Sequence, residues 1–322
     1  MKIYRSLDEV PPDFGPSALT IGNFDGVHFG HRRILRRLRE LAAGHGWKSS
    51  VLTFDPHPTR VVAPQRTPPL MTSPLRRAQL MEQEGVAQVL ILPFTRELAA
   101  LEPAEFVRQL LVHRLGARAV LVGDNFRFGH RQAGNVDLLA ALGRELGFVT
   151  EVIPAVKCRG RVVSSSGIRE FIRAGRVSLA ARLLERPYAL EGEVVSGRGV
   201  GSKQTVPTLN LSTAAEVLPA GGVYVTRTGD LESARQWDSI TNIGYRPTFG
   251  ASDELSIETF LLTPLAGESP KRIRVEFLWR VRDERRFPTP EDLKARILQD
   301  VRIAQSYFRR AHAWIGRTCI SC

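Results

Sequence analysis

One change of rhythm, near residue 186, limits what this chain can fold into more than any single motif does. Before it, β-rich apolar runs at 18–22, 50–54, 88–93, 119–123 and 148–153 alternate with amphipathic stretches, clearest at 31–43, 104–115 and 135–146. In those stretches apolar residues recur at helical spacing. Such alternation predicts a mostly parallel, doubly wound sheet covered on both faces. Two short helices, 166–174 and 178–184, close this half. After Glu185-Arg186-Pro187-Tyr188 come short β-type runs at 190–196, 208–212, 223–228, 239–244, 257–262 and 273–279, separated by Gly- and Pro-rich turns. Strands without intervening helices predict an antiparallel barrel or sandwich, and an amphipathic helix at 290–311 is placed to cover it. The expected organisation is a domain at 1–185, a second at 186–312 and a tail at 313–322, with no internal repeat or low-complexity segment.

Composition narrows the class. The 322 residues are 43% hydrophobic and 24% charged, as in soluble globular proteins and unlike disordered or collagen-like chains. Three cysteines, Cys158, Cys319 and Cys322, are too few for a disulfide framework. The last two form a C-x-x-C, but a zinc site needs four ligands and no second pair exists. The first ten residues lack an apolar core of the secretory kind, and no stretch approaches the 18 or more apolar residues of a membrane span. The expectation is a cytoplasmic protein without a membrane partner. The net charge of +12 comes from 45 basic against 33 acidic residues, and a basic surface suits anionic partners. Arginines are spread along the chain, and no helix-turn-helix, zinc finger or aromatic RNA-binding block appears, so no specific nucleic acid is expected.

The sharpest motif joins the first predicted strand to the first predicted helix: Gly22-Asn23-Phe24-Asp25-Gly26-Val27-His28-Phe29-Gly30-His31. Glycines let the backbone turn tightly and approach a ligand, and the helix beginning near His31 aims its N-terminal N–H groups and dipole into the turn. In an open α/β sheet, ligands bind outside the carboxyl ends of the strands, where this loop lies. Two histidines there can donate hydrogen bonds to phosphate oxygens as charge develops. No Gly-Lys-Ser/Thr follows, so this is not a P-loop.

This run resembles the H-x-G-H signature of nucleotidylyltransferases, in the version found in prokaryotic bifunctional riboflavin kinase/FAD synthetases. Three further blocks are similar to that family's and in its order: Thr53-Phe54-Asp55-Pro56-His57-Pro58, Val122-Gly123-Asp124-Asn125-Phe126-Arg127-Phe128-Gly129, and Ser164-Ser165-Ser166-Gly167-Ile168-Arg169. The resemblance implies a Rossmann-like FMN adenylyltransferase domain, in which the phosphate of FMN attacks the α-phosphorus of ATP to give FAD and pyrophosphate. It assigns His28, His31 and Arg169 to catalysis at the phosphates. Gly22, Asn23, Phe24, Gly30, Ser165 and Ser166 would bind ATP, and Asp124, Asn125 and Arg127 would bind the flavin.

The second half carries a glycine-rich loop running into Pro-Thr-x-Asn: Gly197-Arg198-Gly199-Val200-Gly201-Ser202-Lys203-Gln204-Thr205-Val206-Pro207-Thr208-Leu209-Asn210. It resembles the riboflavin kinase module of the same family, whose fold is a small β-barrel with a C-terminal helix. Asn242-Ile243-Gly244-Tyr245-Arg246-Pro247-Thr248-Phe249 and Ile257-Glu258-Thr259-Phe260-Leu261 match its next blocks. The resemblance implies that Gly197, Gly201, Lys203 and Pro207 bind ATP, that Thr208 and Asn210 hold Mg²⁺, and that Glu258 takes the proton from the ribityl hydroxyl. The resemblance also implies Mg²⁺ for both activities and riboflavin, FMN and ATP as small-molecule partners; the oligomeric state is left open. Ser202, Thr205, Val206 and Leu209 stand where the family usually has Arg, Gly, Phe and Ala. A kinase with altered nucleotide affinity is expected; the alternative is an adenylyltransferase alone, its barrel a flavin-binding or regulatory module.

Overall fold

A computed structural model describes residues 1–158, 160–195, 208–248, 251–285 and 287–318, with side chains described in all of these but 245–248, 251–254 and 312–318. The chain divides into two compact units, Met1–Ser165 and Ser166–Cys322.

The first unit is built on a six-stranded sheet of β1 (Lys2–Tyr4), β2 (Ser17–Ile21), β3 (Lys48–Asp55), β4 (Gln88–Pro93), β5 (Ala117–Gly123) and β6 (Val149–Ile153), in the order β1-β4-β3-β2-β5-β6. Every adjacent pair is parallel, so each connection must cross over a face of the sheet. The helices α1 (Phe29–His45), α2 (Pro58–Val62), α3 (Pro74–Gln83), α4 (Arg96–Ala100), α5 (Pro103–Glu105) and α6 (Val136–Leu146) lie in those crossovers. A short hairpin of β7 (Lys157–Cys158) and β8 (Arg161–Val162) follows. Two apolar clusters pack the unit. One gathers Leu19, Leu52 and Val120 with Leu111 and Leu139, and the other gathers Ala18, Val51 and Leu121 with Leu35, Leu38 and Met81. Alternate residues of β2, β3 and β5 thus go to opposite faces.

Local sequence explains the elements that place the site. In α1, Leu35, Leu38 and Ala42 are buried at helical spacing, and Gly46 ends the helix in the left-handed region at φ 67°. The expected helix at 104–115 is instead α5 continued by a π-helix, Phe106–Arg114. Its buried residues are Phe106, Val107, Leu110 and Leu111, of which Phe106 and Leu111 are five apart, the step of an i→i+5 register. Neither β1 nor α3 was expected. β1 is three residues long, and α3 buries Arg77 on the same face as Met81, which hides its apolar stripe.

In the second unit α7 (Ser165–Arg173) and α8 (Val177–Leu184) precede a closed antiparallel barrel. Its strands are β9 (Tyr188–Val195), β10 (Thr208–Ser212), β11 (Gly222–Asp230), β12 (Gln236–Thr248), β13 (Ala251–Leu261) and β14 (Arg272–Asp283), in the order β10-β13-β12-β11-β14-β9, with β9 pairing back to β10. The final helix α9 (Pro290–Thr318) runs past the expected end at 311. Its Ala304 and Phe308 pack on Val223, Val225 and Ile240, and its Asp300 is held by Arg282 and Arg296. Cys319 and Cys322 lie outside the described residues.

The opposite face of β11 carries a ladder of hydroxyls. Thr226 Oγ1 lies 2.8 Å from both Ser239 and Thr241, Ser239 is 2.8 Å from Thr228, and Thr241 is 2.9 Å from Thr259. All five residues are fully buried, so the hydroxyls satisfy one another, with Ser239 also donating to the Thr226 carbonyl at 3.0 Å. Thr226→Val keeps the shape and removes the hydroxyl at the centre. It removes one hydrogen bond from each of Ser239 and Thr241, which keep their other partners, and is expected to cost about 1–2 kcal/mol. Faster amide hydrogen exchange along β11 and β12 would read that loss, and unchanged protection would show that the ladder adds nothing.

Candidate active sites

The order of the first sheet reverses at β2, which has β3 on one side and β5 on the other. The loops leaving β2, β3 and β5 therefore meet at the switch point where α/β sheets bind ligands, and these loops carry the first three motif blocks.

The loop after β2 is buried and conformationally demanding. Phe24 (φ 50°), Gly26 (φ 78°) and Val27 (φ 37°) all take positive φ. That conformation is uncommon for a side-chain-bearing residue and an outlier for a β-branched one, and such residues persist only where surrounding structure imposes them. Here the imposing group is Asp25, 2% exposed. Its carboxylate accepts from Met71 N (3.0 Å), Thr72 N (3.1 Å) and Thr72 Oγ1 (3.1 Å). Gly26 N donates to the same Thr72 hydroxyl, and Ser165 Oγ donates to Asp25 O at 3.0 Å. Gly22 and Gly30, expected to supply turns, have no positive φ. Their role is room: a Cβ at Gly30 would stand 3.2 Å from the His28 ring, and one at Gly22 would stand 3.2 Å from that of Phe24.

His28 caps α1, its Nδ1 accepting from His31 N at 3.4 Å. The His28 and His31 rings stack with centroids 3.6 Å apart, and Phe24 meets His31 edge-on at 5.0 Å. With Nδ1 accepting, a neutral His28 carries its proton on Nε2, where it is a donor. No acidic residue occupies the first turn of α1, so the positive end of the helix dipole is not offset there. The Asn23 carboxamide lies against the His57 ring, Nδ2 to Nε2 2.9 Å, joining the first block to the second.

Beneath both blocks sits Arg77, 1% exposed, a residue that the sequence reading did not single out. Its guanidinium donates to the carbonyl oxygens of Asn23 and Phe54 and lies 3.4 Å from Thr53 Oγ1. Burial lowers its pKa from the ordinary arginine value, while the carboxylates of Asp25 and Asp55 oppose that shift. The one available signal was its spacing: Arg77 and Met81 are four apart, which puts the arginine on the buried stripe of α3.

In the third block Asp124, Asn125 and Arg127 are exposed. Asp124 accepts from Ala155 N at 3.2 Å. Phe126 stacks on Phe128 at 5.4 Å, and Phe128 packs into the core with Phe106. The structure thus brings Gly22, Asn23, Phe24, His28, Gly30, His31 and Ser165 together. Ser166 is exposed and Arg169 buried on α7, in the second unit.

In the barrel, Thr208 and Asn210 are two apart on β10 and share a face. Asn210 stands opposite Glu258 on β13, and Glu258 stands opposite Asn242 on β12. Three strands thus set two carboxamides and a carboxylate in one row. Their faces are decided by the neighbours: Leu209, Ile257 and Thr259 are buried toward the interior, so Asn210 and Glu258 point outward. Gly197, Gly201, Lys203 and Pro207, with the departures Ser202, Thr205 and Val206, lie outside the described residues. Among the described residues no group of three or more His, Cys, Asp or Glu could hold a metal ion. The neutral oxygens of Thr208 and Asn210 suit an ion that keeps most of its ligands as water and phosphate, as Mg²⁺ does.

The sequence model of the FAD synthetase family matches residues 11–167, and that of the riboflavin kinase family matches residues 184–308. The chain is 37% identical over 306 residues to the bifunctional riboflavin kinase/FMN adenylyltransferase of Pseudomonas fluorescens, with 95% of this chain and 97% of that one covered. It is 34% identical to the protein of the same name from Escherichia coli K12, with 96% and 98% covered. Among solved structures, one named a macrolide-efflux protein from Streptococcus pneumoniae matches with a TM-score of 0.83 at 23% identity, covering 94% of this chain and 98% of that one. At that identity the likeness shows the fold alone. Among the described residues no helix is long and apolar enough to cross a membrane.

The geometry makes Asp25 a scaffold of the loop. Asp25→Ala leaves the buried amide of Met71 without its acceptor, and should destabilise the first unit by about 1–3 kcal/mol. Calorimetry of the full chain checks this; a parent-like transition would mean that Asp25 does not hold the loop.

Proposed function

The chain belongs to the bifunctional riboflavin kinase/FMN adenylyltransferase family, and on that premise we propose that it makes FAD from riboflavin in two ATP-dependent steps, one in each domain. In the barrel, riboflavin and ATP give FMN and ADP; in the first domain, FMN and ATP give FAD and pyrophosphate. One observation carries the two-site reading: each unit builds a polar site on its own framework, the stacked histidines at α1 and the Asn210–Glu258–Asn242 row on the barrel. The assignment takes residues 1–185 as the adenylyltransferase domain and 186–312 as the kinase domain.

In adenylyl transfer an FMN phosphate oxygen forms a bond to the α-phosphorus as the bond to pyrophosphate breaks, so catalysis is positioning and charge stabilisation. His28 and His31 donate to the ATP phosphates beside the N-terminal dipole of α1. Gly22, Asn23, Phe24, Gly30, Ser165 and Ser166 shape the nucleotide site, and Arg169 meets the leaving pyrophosphate. Asp124, Asn125 and Arg127 take the flavin. In the kinase step Glu258 accepts the proton of the ribityl hydroxyl as its oxygen attacks the γ-phosphorus, with Gly197, Gly201, Lys203 and Pro207 at the nucleotide. Thr208 and Asn210 are the residues that would hold Mg²⁺, which when bound offsets phosphate charge. The reading places the enzyme in the cytoplasm, with no membrane or specific nucleic-acid partner. The departures at Ser202, Thr205, Val206 and Leu209 favour one second reading, an adenylyltransferase whose barrel is a flavin-binding or regulatory module.

Chromatography of flavins during incubation with riboflavin, ATP and Mg²⁺ separates the two. FMN that appears and then becomes FAD supports the two-step enzyme. Unchanged riboflavin, with FAD made only from added FMN, supports the second reading. Loss of one phosphate donor in His31→Ala should cut FAD formation by about 10²–10³ while FMN formation stays at the parent rate; parallel loss of both would contradict separate sites. Glu258→Gln should abolish riboflavin phosphorylation and spare the adenylylation of supplied FMN. Phosphorylation at the parent rate in that variant would remove Glu258 from its role.

A further inference from the structure

Two residues before Glu258, on the same outward face of β13, is Ser256, whose Oγ donates to Glu258 Oε1 at 3.0 Å. The register of β12 and β13 pairs Asn242 with Glu258 and Gly244 with Ser256. Gly244 has no side chain, and the Glu284 carboxylate fills the place where a Cβ at that position would stand. A second carboxylate therefore occupies the strand position paired with Ser256. A glutamate on a strand face has three side-chain torsions to settle, and like charges disfavour a single compact arrangement of two carboxylates.

From this geometry we infer that Ser256 is a positioning residue for the kinase step. Its hydrogen bond holds the Glu258 carboxylate in the row between Asn210 and Asn242, in the orientation from which it takes the ribityl proton. Ser256 touches neither substrate; it acts through Glu258. The inference rests on the reading of Glu258 as the base. It adds that the geometry of that base is set by a side-chain donor on its own strand, a contact that depends on the i, i+2 spacing of a strand and not on any motif block.

The effect of such a donor falls on the chemical step. A hydrogen bond to a charged group that orients it for proton transfer is expected to change kcat by about tenfold. An outward serine with a purely structural role would leave the rate unchanged on substitution. The test is steady-state FMN formation by the full-length protein, with riboflavin and ATP varied in turn. Ser256→Ala should lower kcat with the KM for riboflavin and for ATP unchanged, and FAD formation from supplied FMN should stay at the parent rate. Ser256→Thr, which keeps the hydroxyl and suits a strand, should restore kcat. In a Glu258→Asp background, whose shorter arm no longer reaches the hydroxyl, Ser256→Ala should add no further loss, as for residues that act as one unit.

Parent-like kcat in Ser256→Ala beside an inactive Glu258→Gln would overturn the positioning role and leave the base in place. Parent-like kcat in Glu258→Gln would overturn the base and this inference with it. A Ser256→Ala loss that appears in KM, that Thr does not restore, or that adds in full to Glu258→Asp would also overturn the inference.

Discussion

A buried loop that must hold three residues at positive φ cannot be stabilised by its own contacts, and the phosphate site of the first unit depends on the two charged groups that hold this one. Asp25 fastens it to the backbone of Met71 and Thr72, and Arg77 fastens it to the carbonyl oxygens of Asn23 and Phe54. Both charges are buried, which is tolerable because each is hydrogen-bonded and each lies in the field of the other. The histidine pair inherits its geometry from this arrangement. Val27, at φ 37°, immediately precedes His28, so the strained backbone and the helix cap share a peptide bond.

The barrel solves a different problem. Its strands must serve two apolar surfaces, the interior and the face under α9, and still present polar groups elsewhere. The hydroxyl ladder keeps the interior satisfied where Thr and Ser replace aliphatic residues, and strand alternation then turns Asn210 and Glu258 outward. Thr259, buried in the ladder, is the direct neighbour of Glu258, so the structural and the chemical roles occupy successive residues of β13.

Much of this was legible in the sequence because it is local. Residues 89–92 are continuously apolar, and β4, Gln88–Pro93, is built around them. The glycines and histidines of 22–31 marked a strand-to-helix turn, and α1 starts there, at Phe29. What was not legible depends on register or on burial that contradicts residue type. Arg76 and Arg77 are indistinguishable as a pair in the chain, yet only the second is buried. The π-helix at Phe106–Arg114 keeps the apolar pattern of an α-helix with a different hydrogen-bond step. Asn242 joins Glu258 only through the pairing of β12 with β13, which no local window contains.

Closure of the barrel also governs how copies of the chain can associate. Since β9 pairs with β10, the described strands of the ring leave no open edge for a foreign strand to join. The open ends of the six-stranded sheet are β1 and β6. One is three residues long, and the other carries Glu151 in an ion pair with Arg37, both features that discourage edge-to-edge growth. Among the described residues, backbone pairing between copies is therefore disfavoured at these sheets, and contacts between copies fall to side-chain surfaces.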